Sequence, residues 1–363
     1  MLPSRLLNRI WLLVVSLVAM STGSDAAEPQ WASGMTPVQT QMVQRAFYDA
    51  MSVVRAVALT FDPACDVYFQ RYFSDADATF VKHAFRALAN VDLNAPTMNI
   101  AQAAALMTAP LTGAALPDKY SKLSISYGDH PLTPPHLGYF PHHCQTAGVR
   151  GYLTFSLTDP NYAFLSLCTW IFGAYLPLGF TLFPPNSLRG YPGTTCDGLG
   201  DHETDYMRNP GWTVLHELMH WAAFFNDVPD YAVKIRRNPQ NIIQIDHYTG
   251  TNPPHGNEPF YAAQVKNLPS VDGYSLAINN ADSYPCYATV RAWSVLCEGK
   301  FFGPSPSLED YSRRTADWYR RNPPAPQQPP RRLARSEDTI TDTVPEDGFD
   351  CAYDEEGDLI VCD

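Results

Sequence analysis

The chain lacks several features that would assign it to other classes of protein. It has no basic stripe interleaved with aromatic residues, so nucleic-acid binding has no support. It has no Asn-x-Ser/Thr site and no internal repeat. Residues 336–363 contain eleven acidic residues and no lysine or arginine. Because the whole chain has a net charge of −12, residues 1–335 carry a net charge of only −1, and the acidity belongs to the tail.

The N-terminus has the layout of a secretory signal peptide. Arg5 and Arg9 provide a basic start, the apolar run IWLLVVSLVAM follows, and small residues come after it. The apolar run is too short to span a membrane comfortably. We therefore predict that residues 1–26 are a signal peptide, cleaved after Ala26, and that the protein is secreted and extracellular. The alternative is a retained N-terminal anchor.

Eight cysteines in an exported chain predict disulfide bonds, although eight cysteines allow 105 pairings. Cys286 and Cys297 are expected on one helix, where eleven residues separate them by roughly 16 Å. A disulfide requires Cα atoms within about 7 Å, so these two cysteines are not expected to pair with each other. Two other pairs are compatible with the sequence: Cys168 with Cys196, and Cys351 with Cys362.

No charged residue occurs from Asn161 to Leu188. This uncharged stretch allows two interpretations, a membrane span or buried strands and turns. A membrane span would place residues 28–150 and the motif described below on opposite sides of a membrane. Gly173, Pro177 and Gly179 interrupt the stretch, and β-branched and aromatic residues dominate it. We predict buried strands and turns here.

Apolar residues at helical spacing predict the main helices. One covers residues 37–60, with Thr36 as a possible N-cap and Pro37 in the first position. A second covers residues 76–90, a third covers residues 209–227, and a last one begins near Asp282 or Ser283.

The composition changes at about Gly303. Residues 303–335 are predicted to be a Pro-rich linker, and residues 336–363 an acidic, disordered tail with too few apolar residues to form a core. A role for the tail as an inhibitory or targeting segment is a further hypothesis.

The third helix contains the sequence HELMH, in which His216 and His220 are four residues apart. On a helix they lie on one face, one turn apart, and two imidazoles can reach one zinc ion. Glu217 can then act as general base towards a zinc-activated water. The alternative is a surface helix with two solvated histidines. Apolar neighbours argue instead for burial: Leu215, Leu218, Met219 and Trp221.

A catalytic zinc usually takes three protein ligands, and no third histidine follows at the H-E-x-x-H-x-x-G-x-x-H spacing. The candidate ligands are then carboxylates downstream: Asp227, Asp230, Asp246, Glu258 and Glu298. Asp227 and Asp230 look like residues that end a helix. Asp246 follows the apolar run NIIQI, which suits a carboxylate delivered into a site from a buried segment.

These segments together resemble the aspzincin metalloendopeptidases, the deuterolysin-like family of secreted fungal proteases. The resemblance is carried by HELMH, IIQIDHY and SLAINNADSYPCYATV, and it is nearest to the relatives described as lysine-specific-metalloendopeptidase-like. It covers roughly residues 37–300 and implies one domain over residues 27–302. The implied fold is α+β and mainly helical: a zincin-like domain with a small antiparallel sheet and an active-site helix carrying H-E-x-x-H.

The resemblance also implies an aspartate as third ligand, but the chain departs from the family's G-T-x-D-x-x-Y-G motif. Gly250 and Thr251 are present, and NPPHGNEPFYA follows them. Asp246 is favoured as the ligand, and Glu258, three residues before Tyr261, is the alternative. By analogy with the motif tyrosine, Tyr261 is expected to hydrogen-bond the developing oxyanion, with a core tyrosine as the alternative.

The sequence thus predicts a zinc metalloendopeptidase that binds Zn²⁺ through His216, His220 and Asp246 and uses Glu217 and Tyr261 in catalysis. We expect a monomer that acts on protein or peptide substrates, with no nucleic acid and no membrane attachment after signal removal. Because the family motif is broken, a secreted zincin-fold binding or effector protein with weak or no catalysis is the competing hypothesis.

Overall fold

The computed structural model describes residues 28–109, 116–132, 143–146, 148–156, 159, 161–174, 195–238 and 241–321. The predicted signal peptide, the acidic tail and the pair Cys351–Cys362 lie outside these ranges.

The described chain is mainly helical, with one small sheet. The strands are β1 (Gln30–Trp31), β2 (Leu123–Tyr127), β3 (Gly151–Phe155) and β4 (Ala163–Leu167). The helices are α1 (Pro37–Thr60), α2 (Val67–Tyr72), α3 (Ala78–Leu88), α4 (Ile100–Thr108), α5 (Thr169–Ala174), α6 (Pro210–Met219), α7 (Ala222–Phe225), α8 (Tyr231–Lys234), α9 (Glu258–Lys266), α10 (Ser283–Leu296) and α11 (Leu308–Arg321). The α+β class is confirmed.

The sheet is mixed, so the expected antiparallel sheet is wrong. Its strand order is β1-β2-β4-β3, in which β1 and β4 run parallel to β2 and only β3 and β4 are antiparallel. Only seven residues separate β3 from β4, a length that favours an antiparallel pair. The described residues between β1 and β2 include four α-helices, a connection typical of parallel strands. β4 inserts between β2 and β3, which leaves β3 at one edge of the sheet.

Helix α1 is the centre of the core, and the sequence predicted its bounds. Thr36 and Gln39 form a capping box at its start, and Pro37 occupies the first position. The helix packs against α3, α4, α6 and α10. Its contact with α6 is close at Gly211, where a Cβ atom would lie 2.6 Å from the backbone nitrogen of Ala50. This contact requires glycine at position 211, and it holds α6 against the core.

Helix α11 lies within residues 303–335, the range predicted as a linker. It begins at Leu308 and ends at Arg321, just before the proline-rich sequence starts at Pro323. Tyr311 is buried against the rest of the fold. Helical structure is thus present up to about twenty residues beyond the predicted domain boundary at residue 302.

Two disulfides are present among the described residues, Cys144–Cys168 and Cys196–Cys297. The pair Cys168–Cys196, one of two that the sequence allows, is not formed, because each of these cysteines has another partner. Cys286 and Cys297 do not pair with each other, as predicted, and Cys286 is a buried free thiol on α10. Their separation along one helix explains this outcome.

In its described part, the uncharged stretch contains the buried strand β4, as predicted, and the helix α5, which was not predicted. Among the described residues, no helix is long and apolar enough to cross a membrane. Residues 175–188 of the stretch lie outside the described ranges.

His130 beside the sheet makes the stability of the protein depend on pH. Its Nδ1 accepts the N–H of Leu132, and its Nε2 lies 2.8 Å from the Ser124 hydroxyl. Burial lowers the pKa of His130 from 6.5 to about 4. The folded state therefore holds this imidazole neutral while the unfolded chain takes up a proton, and the stabilisation is lost as pH falls.

We expect the free energy of unfolding to fall between pH 6.5 and pH 4 by up to about 3 kcal/mol through His130 alone. Urea unfolding of the wild type and of His130→Gln across this range, with excess chelator present, measures the difference. The stability advantage of the wild type should shrink as the pH falls. An advantage that stays constant from pH 7 to pH 4 would contradict the assignment.

Candidate metal centre

Helix α6 carries HELMH into the interior of the protein. All ten of its residues are buried, which excludes a surface helix with solvated histidines. The helix ends at Met219 and not near Asp227, because the backbone of Trp221 leaves the helical region before α7 begins. His220 thus occupies the C-cap position of α6, one turn after His216.

The two histidines turn the same ring atom towards each other. The Nδ1 of His220 lies 2.8 Å from the carbonyl oxygen of Ile245, which can only accept, so this nitrogen carries the hydrogen. The Nδ1 of His216 lies 3.1 Å from the Asp282 carboxylate. The two Nε2 atoms, 3.2 Å apart, remain available as ligands. Two nitrogens bound to one tetrahedral zinc at about 2.0–2.1 Å lie about 3.3 Å apart, so this spacing fits a shared metal ion.

His247 completes a group of three. Ligand atoms of His216, His220 and His247 lie within 4.8 Å of one another, an arrangement that could hold a metal ion. The His247 ring is 4.6 Å from the His220 ring, measured between centroids, and its side chain is 52% exposed. Two of the candidate ligands are therefore buried, and the third lies at the surface, where it is accessible to solvent.

Asp246, the ligand that the sequence favoured, is not in this group. Its Oδ1 accepts the backbone N–H of His247 at 2.8 Å, and its backbone pairs with the segment 279–281. Neighbouring residues of an extended segment point to opposite sides, so only one of Asp246 and His247 can face the two helical histidines. The structure turns His247 to that side.

The electrostatics of the group match cation binding. Burial alone would lower the pKa of His216, but the Asp282 carboxylate raises it to about 9. Burial and the adjacent charges of His216 and His247 lower the pKa of His220 well below 6.5. Burial would raise the pKa of Asp282, yet His216 holds it well below its ordinary value. These pKa directions favour a positive charge at the histidine pair, the position that a divalent cation would occupy.

Glu217 is buried next to the histidines and faces strand β3. Burial raises its pKa above the ordinary 4.5, although His216, His247 and a hydrogen bond from the Leu153 backbone oppose this change. Gly151 allows the strand to come this close, since a Cβ atom there would lie 3.5 Å from Cγ of Glu217 and 3.0 Å from Cγ2 of Thr213. The carboxylate thus lies between the histidine pair and the edge strand of the sheet.

Glu258, the alternative third ligand, lies in a different cluster. Its Oε1 is 3.0 Å from the guanidinium of Arg208 and 3.5 Å from that of Arg150. Arg208 lies over the ring of Trp212 at 4.1 Å, and Trp212 stacks on His216 with centroids 5.7 Å apart. The carboxylate of Glu258 is therefore paired with arginines. It contacts His216 only indirectly, through Arg208 and Trp212.

Tyr261 lies on α9 and packs edge-on against His255, with ring centroids 4.4 Å apart. Within the described ranges, no hydrogen bond or ring contact joins it to the three histidines. The structure does not bring Tyr261 to the metal-binding group, and it supplies no support for an oxyanion role.

Two residues of the site were missed from the sequence, His247 and Asp282. Both lie in the segments that carry the family resemblance, but that resemblance implies a carboxylate ligand and gives no role to His247. From its sequence position, Asp282 is predicted to be a helix cap. It does occupy the N-cap position of α10, yet its side chain makes no capping bond and faces His216.

Comparison with known proteins identifies no relative of this chain. No protein-family model matches the chain, and no curated protein matches its sequence.

Proposed function

We propose that this protein is a secreted zinc-dependent endopeptidase in which His216, His220 and His247 hold the metal. The observation that carries the proposal is the pair of buried Nε2 atoms 3.2 Å apart, with a buried glutamate between them and the edge strand. The resemblance to the aspzincin proteases agrees with this activity. His247 takes the place of the aspartate that the resemblance implied.

Glu217 is proposed as the general base. A zinc ion bound by the histidines would supply Lewis acidity to a water molecule and to the carbonyl oxygen of a peptide bond. Because burial raises its pKa, the Glu217 carboxyl can take up a proton from the attacking water near neutral pH and release it to the leaving amine.

Strand β3 favours a peptide as the substrate. In the described sheet, β3 is an edge strand whose strand partner is β4. An extended peptide can add to such an edge through main-chain hydrogen bonds. Since Glu217 lies against this strand, a peptide paired there would place its backbone beside the base. Secretion is supported by the two disulfides, which are typical of oxidising compartments.

The proposal is tested by metal removal and return. Cleavage of casein by the purified protein should stop after dialysis against a chelator and return when one equivalent of Zn²⁺ is added. A magnesium-only addition is the control, because three histidines favour zinc over magnesium. Undiminished cleavage by chelated protein would contradict the proposal. Stoichiometric zinc without cleavage of any peptide library would favour the competing hypothesis of a binding protein.

A further inference from the structure

We propose that the segment Asn279–Asp282 is the positioning element of the metal centre: it orients His216 through Asp282 and holds the loop that carries His247 through Asn280. The inference rests on the proposed metal site and assigns a role to residues that are not themselves ligands. It concerns how the third ligand, on an exposed loop, is brought to two ligands on a buried helix.

Asp282 faces two of the histidines from one carboxylate. Its Oδ1 lies 3.1 Å from Nδ1 of His216, and its Oδ2 lies 3.9 Å from Nδ1 of His247. The side chain is only 2% exposed, so solvent competes little for these oxygens. A carboxylate at Nδ1 keeps the hydrogen on that nitrogen and turns Nε2 towards a metal. Asp282 can thus orient His216 directly, whereas its 3.9 Å approach to His247 is a contact between ionisable groups that is longer than a hydrogen bond.

Asn280 holds the loop that follows His247. Its Oδ1 accepts the backbone N–H of Tyr248, and its Nδ2 donates to the carbonyl oxygen of Gly256. A Cβ atom at Gly256 would lie 2.6 Å from Oδ1 of Asn280, so glycine is required for this close approach. The two ends of the loop are therefore tied to one buried amide.

The backbone of the same segment fixes the register of the His247 strand. Asp246 forms a parallel bridge with Asn280, and its carbonyl oxygen accepts the N–H of Ala281 at 2.8 Å. A shift of this register by one residue would turn His247 away and bring its neighbour to the metal side. The four residues thus determine which side chain becomes the third ligand.

The test uses Asp282→Asn, which keeps the size of the side chain and removes its charge. Zinc affinity is measured by competition with a chromogenic chelator, and ligand geometry by the visible spectrum of the Co²⁺ form. We expect zinc binding to weaken by about 10- to 100-fold and the Co²⁺ bands to change. If Asp282→Asn does not fold, Asp282→Glu serves instead, and it is expected to weaken binding by a smaller factor.

Asp77→Asn is the matched control. Asp77 is also 2% exposed and also occupies a helix N-cap position without a capping bond, but it accepts hydrogen bonds from Ser74 and Ser275 and does not contact the histidines. Its substitution should change the melting temperature without changing zinc affinity. Equal losses of zinc affinity in the two variants would overturn the proposal, since a general structural effect would then account for both.

A double-mutant cycle with His247→Ala separates the effect of Asp282 on His216 from its effect on His247. The effect of Asp282→Asn should be smaller in the His247→Ala background, because part of it passes through His247. Unchanged zinc affinity in Asp282→Asn would overturn the positioning role while leaving the metal site intact. Absence of zinc binding by the wild-type protein would instead overturn the metal site itself, and the positioning role with it.

Discussion

Glu217→Gln should reduce peptide-bond hydrolysis by roughly a hundredfold to ten-thousandfold while zinc stays bound. Glutamine has nearly the shape of glutamate, so it preserves the packing of α6 against β3, but it cannot take up a proton. Because Glu217 lies beside the histidines without belonging to the metal-binding group, its substitution should not remove a ligand. The loss should appear in kcat.

The measurement pairs steady-state cleavage of a peptide with zinc content determined on the same sample. Glu217→Asp provides a graded comparison, since it keeps the acid and moves it away by one methylene group. We expect Asp at this position to retain more activity than Gln. Full activity of Glu217→Gln at full zinc occupancy would show that Glu217 is not the general base.

His247→Ala should weaken zinc binding by more than about 100-fold, whereas Asp246→Ala should leave it nearly unchanged. A direct ligand contributes more than the residue that orients it, and loss of such orienting residues typically costs 10–100-fold. The structure places His247 with the two helical histidines, while the carboxylate of Asp246 accepts the N–H of His247.

Glu258→Ala belongs in the same series, because the sequence left it as an alternative. Its carboxylate is engaged by Arg208 and Arg150, so its removal should lower stability without removing zinc. Chelator competition on the three variants ranks the candidates directly. Loss of zinc in Asp246→Ala together with retention in His247→Ala would restore the ligand set implied by the resemblance.

Features that depend on residues close together in the sequence, such as helix caps and the faces of helices, were predicted from the sequence. The capping box of Thr36 and Gln39 lies within four residues, and α1 begins where that signal predicts. The burial of the HELMH helix followed from its apolar neighbours. The spacing of His216 and His220 placed both on one helical face, and their Nε2 atoms do meet.

The features that depend on long-range register could not be predicted. Whether Asp246 or His247 faces the helical pair depends on how the segment around residue 246 pairs with residues 279–281, and one residue of shift exchanges them. The mixed sheet depends on β4 entering between β2 and β3. The partner of Cys297 lies 101 residues away, beyond any local signal.

The disulfide between Cys196 and Cys297 closes a covalent ring in the backbone. The ring is closed by cysteines 101 positions apart in the sequence and contains His216, Glu217, His220, His247 and Asp282. A single cut of the main chain anywhere inside it leaves both fragments covalently attached, so the residues of the site stay on one molecule. A cut in the exposed loop around His247 would therefore not separate the candidate metal ligands onto two molecules.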